Sequence, residues 1–238
     1  MTKTTIAFDL YGTLLSPASI SASLSSTLSL SSQKAEELAG LWRRYQLEYT
    51  WRSNSMGIFT DFASITRSAL KHVVPDITGK QIESIMSAYD NLEVFPEVPG
   101  ALGVMEENGG LVEAYVFSNG TRGMVEGSLK GLREVFRGVV CVEGVGRYKP
   151  DPKVYEYLVG EVGREKGEVW LVSGNPFDVL GAKAAGLRAC WVDREGGGWV
   201  DRLGDGLGVE GGGRPDLVVK GVDEGVEGII AWAKGGRE

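Results

Sequence analysis

The feature that most constrains this chain is the distance separating its first strand-like run from the others. Thr4 to Phe8 is short, apolar and rich in β-formers. Five comparable runs appear only beyond position 110: LVEAYVFS (111–118), GVVCVE (138–143), VWLVSG (169–174), RACWVD (188–193) and PDLVVKG (215–221). Helical stretches such as DPKVYEYLVGEVG and PFDVLGAKAAGL lie between them. Alternating strands and helices build a parallel sheet with helices on both faces. The expected fold class is therefore α/β, a doubly wound, Rossmann-like parallel sheet whose first strand joins its partners across about a hundred intervening residues.

The intervening segment reads as helix. KAEELAGLWRRYQLEYTW (34–51) carries Leu38, Leu41, Trp42, Tyr45 and Tyr49 three and four apart, the spacing of one helical face. FTDFASITRSALKHVV and GKQIESIMSAYDNL repeat it, and the serine-rich SPASISASLSSTLSLSSQ reads as a short helix plus a linker. Glycine marks the same division, since only Gly12, Gly40, Gly57 and Gly79 of the 35 precede position 95. The expected organisation is a core made of 1–15 and 94–238, with a helical domain at 16–93 inserted after strand one. An insertion there sits over the carboxyl ends of the strands, where open α/β sheets bind ligands. REGGGWVDRLGDGLGVEGGGRP (194–215) reads as a glycine-laden surface loop without chemistry.

A net charge of −7 argues against nucleic acid as a partner, because phosphate binding needs a basic stripe. No apolar run is long enough to span a membrane, and no secretory leader is evident. Two cysteines, Cys141 and Cys190, are too few for a disulfide framework and read as small buried hydrophobes. These features together suggest a cytoplasmic protein. His72, the only histidine, closes a helical pattern and reads as a solvated helix-end residue.

Candidate chemistry gathers at the strand ends. IAFDLYGTLL ends an apolar strand on Asp9, with Thr13 four residues on. The strand at 111–118 runs into Ser118, Asn119, Gly120 and Thr121; RYKPDPKVY places Lys149 before a proline-started helix; and SGNPFD brings Ser173, Asn175 and Asp178 together. In a doubly wound sheet these ends converge on one crevice.

DLYGTL, SNGT, YKPD and SGNPFD, in that order, resemble the haloacid dehalogenase superfamily, and the helical insertion resembles its cap domain. LWRRYQLEYTW and YKPDPKVYE are similar to its L-2-haloacid dehalogenase branch. In the phosphatase branches a second Asp stands two residues after the nucleophile and protonates a leaving alkoxide. Here that residue is Tyr11, a far weaker acid, whereas a departing halide needs no proton.

The resemblance implies hydrolysis of small L-2-haloalkanoic acids to D-2-hydroxy acids, with inversion and without metal or organic cofactor. Asp9 is then the nucleophile that forms an aspartyl ester. Lys149 favours its charged form, since a nearby cation stabilises a carboxylate. Asp178 activates or orients water, and Thr13, Tyr155, Ser173 and Asn175 fix Asp9 and that water. Leu10, Tyr11 and Ser118 would hold the substrate carboxylate, and Arg43 with Asn119 would receive the halide. Leu47, Phe62 and Phe177 are candidate walls for the alkyl group. The resemblance also implies a homodimer. Gly174, where relatives carry Ser, Phe177, where they carry Trp, and Arg44, where they carry an amide, bear on substrate choice. Azetidine-2-carboxylate ring opening, a small-molecule phosphatase and a non-catalytic scaffold are the competing readings.

Overall fold

The computed structural model describes residues 3–235, with the Arg133 side chain left aside. Strand β1 (Thr4–Phe8) lies at the centre, and all five of its residues are buried, the two threonines included. Burial on both faces explains why parallel strands read as continuous apolar runs. After β1 the chain turns into β2 (Leu15–Ser16) and a 3₁₀ turn, then runs through α1 (Ser21–Leu28), α2 (Ser32–Met56), α3 (Phe62–Val73) and α4 (Gly79–Ala88). It returns through β3 (Glu93–Val94), which pairs antiparallel with β2, Leu15 opposite Val94. The two crossings between sheet and helices therefore lie side by side.

The remainder alternates as the sequence suggests: α5 (Val98–Glu107), β4 (Val112–Ser118), α6 (Arg122–Ser128), β5 (Phe136–Cys141), α7 (Pro152–Val162), β6 (Val169–Ser173), α8 (Pro176–Ala184), β7 (Arg188–Val192), α9 (Leu203–Leu207), β8 (Leu217–Val219) and α10 (Val222–Lys234). Six strands form one parallel sheet in the order β5-β4-β1-β6-β7-β8. Helices α5 and α10 pack together, as do α7 and α8. The chain leaves β1 towards β4 and β5, then returns to β6 on the other side. The C-terminal end of β1 is thus the switch point at which a crevice opens.

Two expectations need correction. The segment 194–215 is not all loop: it contains α9 and a 3₁₀ turn at Glu210–Gly213, and Arg194 is part of the site's support. The buried stripe of α2 is Ala35, Ala39, Trp42, Gln46, Thr50 and Ser53, which shares only Trp42 with the expected stripe of Leu38, Leu41, Trp42, Tyr45 and Tyr49. Leu38, Leu41, Tyr45 and Tyr49 are only half-buried. The inward face of α2 begins in the hydrophobic core with Ala35, Ala39 and Trp42 and turns polar from Gln46 onward, where Gln46 meets Thr66 and Arg43.

Ser31 caps the start of α2 by accepting from Lys34 N, and Gly57 (φ +67°) ends it in the left-handed conformation that favours glycine. Among the described residues no helix is long and apolar enough to cross a membrane. Both cysteines are buried and unpaired, and burial pushes their thiols up to about 11 for Cys141 and about 12 for Cys190. They are poor nucleophiles as a result. His72 is exposed in the last turn of α3, its ring stacked on Tyr45 and its Nδ1 2.6 Å from the Tyr49 hydroxyl.

Candidate active site

Asp9 follows β1 directly, and its backbone N–H still bonds Val172 O of β6. Its carboxylate is therefore delivered by the most buried strand of the sheet. The next residues fold into a tight turn in which Thr13, Leu14 and Leu15 all donate to Leu10 O. Gly12 adopts φ +93°, which a residue with a Cβ rarely takes. This turn brings Thr13 back over the strand, where its hydroxyl donates to Asp9 Oδ2 at 2.9 Å.

Asn175 is the N-cap residue of α8 but makes no side-chain cap bond. Its amide nitrogen goes instead to Asp9 Oδ2 at 2.7 Å and Tyr11 O at 3.0 Å. Among the described residues Oδ2 thus holds two donors, while Oδ1 holds one, Lys149 Nζ at 3.1 Å. Lys149 is 1% exposed, and its ammonium also donates to Asp178 Oδ2 at 2.7 Å and Phe117 O at 2.8 Å. All three of its protons are thereby used. The other Asp178 oxygen accepts from the Tyr155 hydroxyl at 2.8 Å.

Asp178 is fully buried. Burial pushes its carboxyl above the usual range and the Asp9 charge adds to that push, while the Lys149 ammonium opposes both. Burial, followed by the Asp178 charge, drives the Tyr155 hydroxyl far above its ordinary value, so it remains a donor. Tyr11 is buried between Phe62 and Tyr89, with ring centroids 6.0 and 5.4 Å away. Burial first, and Tyr89 second, push its hydroxyl well upward, so it is no proton donor at neutral pH.

Arg43 comes from α2 and is half-buried. It donates to Tyr11 O at 3.1 Å, to Asn175 Oδ1 at 3.4 Å and to Gln46 Oε1 at 2.8 Å. Gln46, one helical turn from Arg43, was not anticipated. It is buried, donates to Thr66 Oγ1 at 2.8 Å and accepts from Tyr89 at 3.3 Å. A glutamine on the inward stripe of a long helix was the available signal. Asn54 was also missed: it brackets Tyr148, accepting from its N–H at 2.9 Å and donating to its carbonyl at 2.6 Å, and so ties α2 to the residue before Lys149.

The other expected residues divide between the cluster and its surroundings. Asn119 Oδ1 accepts from Lys149 N at 3.0 Å. Ser118, fully buried at the end of β4, accepts from Gly120 N and keeps a proton to donate. Ser173 accepts from Asn175 N at 3.1 Å. Leu10 and Phe62 are buried and Leu47 is half-buried. Phe177 packs edge-on against Trp51 and lines an open cleft of about 520 Å³ together with Pro150 and Leu203. Successive helical residues diverge by about 100°, so with Asp178 turned inward Phe177 cannot share its direction. Arg44 is exposed, its guanidinium 5.3 Å from the Tyr45 ring.

A buried Asp–Lys–Asp chain at the switch point of a doubly wound parallel sheet defines an α/β enzyme that works from its strand ends. The comparisons with known proteins narrow this. A sequence model of the haloacid dehalogenase-like hydrolases matches residues 3–186, and the chain belongs to that family. The (S)-2-haloacid dehalogenase of Pseudomonas sp. strain YL is 33% identical over 197 residues, covering 80% of this chain and 83% of that protein. Haloacetate dehalogenase H-2 of Moraxella sp. strain B is 32% identical over 197 residues, covering 80% and 86%. The solved L-2-haloacid dehalogenase from Xanthobacter autotrophicus matches with a TM-score of 0.82 at 26% identity, covering 96% of this chain and 99% of that one.

Proposed function

We propose that this chain hydrolyses small L-2-haloalkanoic acids to D-2-hydroxy acids through an ester on Asp9. The observation that carries the reading is the asymmetry of the Asp9 carboxylate, with two donors on Oδ2 and one on Oδ1. Oδ1 has a lone pair free to attack C2. As the O–C2 bond forms, the carbon–halogen bond breaks, halide leaves with the electron pair, and C2 inverts. In the ester, Oδ2 is the carbonyl oxygen, already facing the Thr13 hydroxyl and the Asn175 amide. Water then adds to Cγ, and those donors meet the developing oxyanion at Oδ2, the kind of preorganisation that lowers acyl-transfer barriers most.

Asp178 accepts the water proton and the alkoxide on C2 takes one as the acyl–oxygen bond breaks. The water oxygen remains on Asp9. The net yield is one hydroxy acid, one halide and one proton. Ser118 and the Leu10 and Tyr11 backbone hold the substrate carboxylate, and Arg43 receives the halide. The helical block at 16–93 serves as a cap that brings Arg43 over Asp9. Assembly as a homodimer belongs to the same proposal and rests on the family resemblance, whereas a cytoplasmic location is supported by two buried, unpaired cysteines.

The test is halide release from L- and D-2-chloropropionate in EDTA, for the wild type and Asp9→Ala. Release from the L-isomer alone, lost in the variant and unaffected by EDTA, is the expected result. No halide from either isomer overturns the reading.

A further inference from the structure

Arg194 stands two residues beyond β7, in the stretch that the sequence marked as loop. Its guanidinium reaches back under the nucleophile turn. Nη2 donates to Thr13 O at 2.7 Å and Nη1 to Gly12 O at 3.2 Å. Nε and Nη2 also bond Glu97 Oε1, at 2.9 and 2.6 Å, and the guanidinium carbon lies 3.5 Å from the centre of the Phe95 ring. Phe95 follows β3 directly and Glu97 stands just before α5, where the chain returns from the helical block. One planar cation therefore joins the exit crossing to both carbonyls of the turn that carries Thr13. A planar fork can make such a set of bonds, whereas an ammonium cannot.

Gly174 completes the arrangement. A Cβ built on Gly174 would lie 2.3 Å from Gly12 O, so the turn can sit where Arg194 holds it only if residue 174 has no side chain. At that distance Gly174 N donates to Thr13 Oγ1 at 2.9 Å, and the same hydroxyl donates to Asp9 Oδ2 at 2.9 Å. Thr13 Oγ1 accepts one bond and directs its proton along the other. The direction of that proton depends on where the turn is held.

We propose that Arg194, braced by Glu97 and given room by Gly174, is a positioning residue for the Asp9 nucleophile. It holds the Gly12–Thr13 carbonyls so that the Thr13 hydroxyl is aimed at Oδ2. The proposal rests on the reading of Asp9 as the nucleophile. Arg194 touches neither Asp9 nor the substrate itself, but the Leu10 and Tyr11 backbone assigned to the substrate carboxylate leads into the same turn, so its loss lowers kcat by a larger factor than it raises KM. A misplacement of about 1 Å at a reacting group costs on the order of 10²-fold in rate. Arg194→Met, which keeps the stem and removes the fork, is expected to lose about 10- to 100-fold in kcat on that scale. Arg194→Lys restores only part of the loss. Gly174→Ala alone lowers kcat as well, but adding it to Arg194→Met costs much less than in the wild-type background, because the turn is no longer pinned against residue 174.

The experiment measures kcat, KM and thermal midpoint for Arg194→Met, Arg194→Lys, Gly174→Ala and the Arg194→Met/Gly174→Ala pair. Hydrogen exchange of the Gly12 to Leu15 amides is followed in parallel. A fall in kcat that exceeds the rise in KM, non-additivity in the pair and faster exchange at 12–15 support the proposal. Unchanged kcat in folded Arg194→Met overturns it, and so does strict additivity of the two substitutions. If the wild type releases no halide, the functional reading fails; unaltered exchange at 12–15 in Arg194→Met then overturns the clamp on its own.

Discussion

Lys149→Met probes the centre of the site most directly. The ammonium lies between two carboxylates, 3.1 Å from Asp9 Oδ1 and 2.7 Å from Asp178 Oδ2, and all three groups are buried. At an effective dielectric constant of about 20, each contact carries roughly 6 kcal/mol of Coulomb attraction, most of it offset by the desolvation of three ions. Methionine keeps the stem's bulk and deletes the charge, leaving two carboxylates face to face in a buried space. Removing one partner of a buried pair costs about 3 to 5 kcal/mol, and that is the loss expected in urea unfolding near neutral pH. Two carboxylates sharing a site also share a proton, so the deficit should shrink on going from about pH 8 to pH 5. Halide release should be lost throughout, because the shared proton occupies the pair that contains the proposed nucleophile, Asp9. Adding Asp178→Asn should recover most of the stability and none of the activity. A loss below about 1 kcal/mol, the size of an exposed pair, with no dependence on pH, would refute the assignment of Lys149 as the counter-ion of both carboxylates.

Two further perturbations test neighbouring groups. Asp178→Asn should slow water attack more than ester formation, so the substrate-derived adduct on Asp9 accumulates and is read by mass spectrometry; a variant with wild-type turnover and no adduct would rule out Asp178 as the water-activating group. Burial raises the Asp178 carboxyl in the folded chain, so the folded state binds this proton more readily than the unfolded one, which favours folding at low pH. That contribution is lost as pH rises through the raised value, and ester hydrolysis should decline as pH falls through the same window, above the usual carboxylate range. Gly181→Ala places a Cβ 2.4 Å from the Tyr155 hydroxyl and 2.7 Å from Pro150 Cβ. Overpacking of this kind costs about 1 to 3 kcal/mol, and it should also pull Tyr155 off Asp178; unchanged thermal stability would show that the contact is not tight.

Much of the site was legible because its residues sit where the topology sends strands. Asp9, Ser118 and Ser173 each end or follow a strand of the parallel sheet, and such ends meet at a switch point whatever the loops between them do. Asn175 and Asp178 follow from the same logic, one at the N-cap position and one in the first turn of α8. Gln46, Asn54, Arg194 and Glu97 were not legible. Each acts through a side chain that reaches an element distant in the chain: Arg194 bonds Gly12 and Thr13, and Asn54 bonds Tyr148. Periodicity reports which face of a helix is apolar, and for α2 it found Trp42 but missed that the inward stripe continues through Gln46, Thr50 and Ser53.

The sequence by itself determined the parallel α/β architecture, the delivery of an acid at the end of a central strand, and Tyr11 in the place of a second acid. These are local properties, set by apolar period, turn chemistry and residue identity over a few positions. The tertiary structure alone decided that Asp9 Oδ2 carries two donors and Oδ1 one, that Lys149 serves two carboxylates at once, and that Gly12 O comes close enough to Gly174 to exclude a side chain. Those depend on distances of about 3 Å between segments more than a hundred residues apart, and hydrogen bonds and close packing are sensitive to shifts far smaller than any sequence pattern encodes.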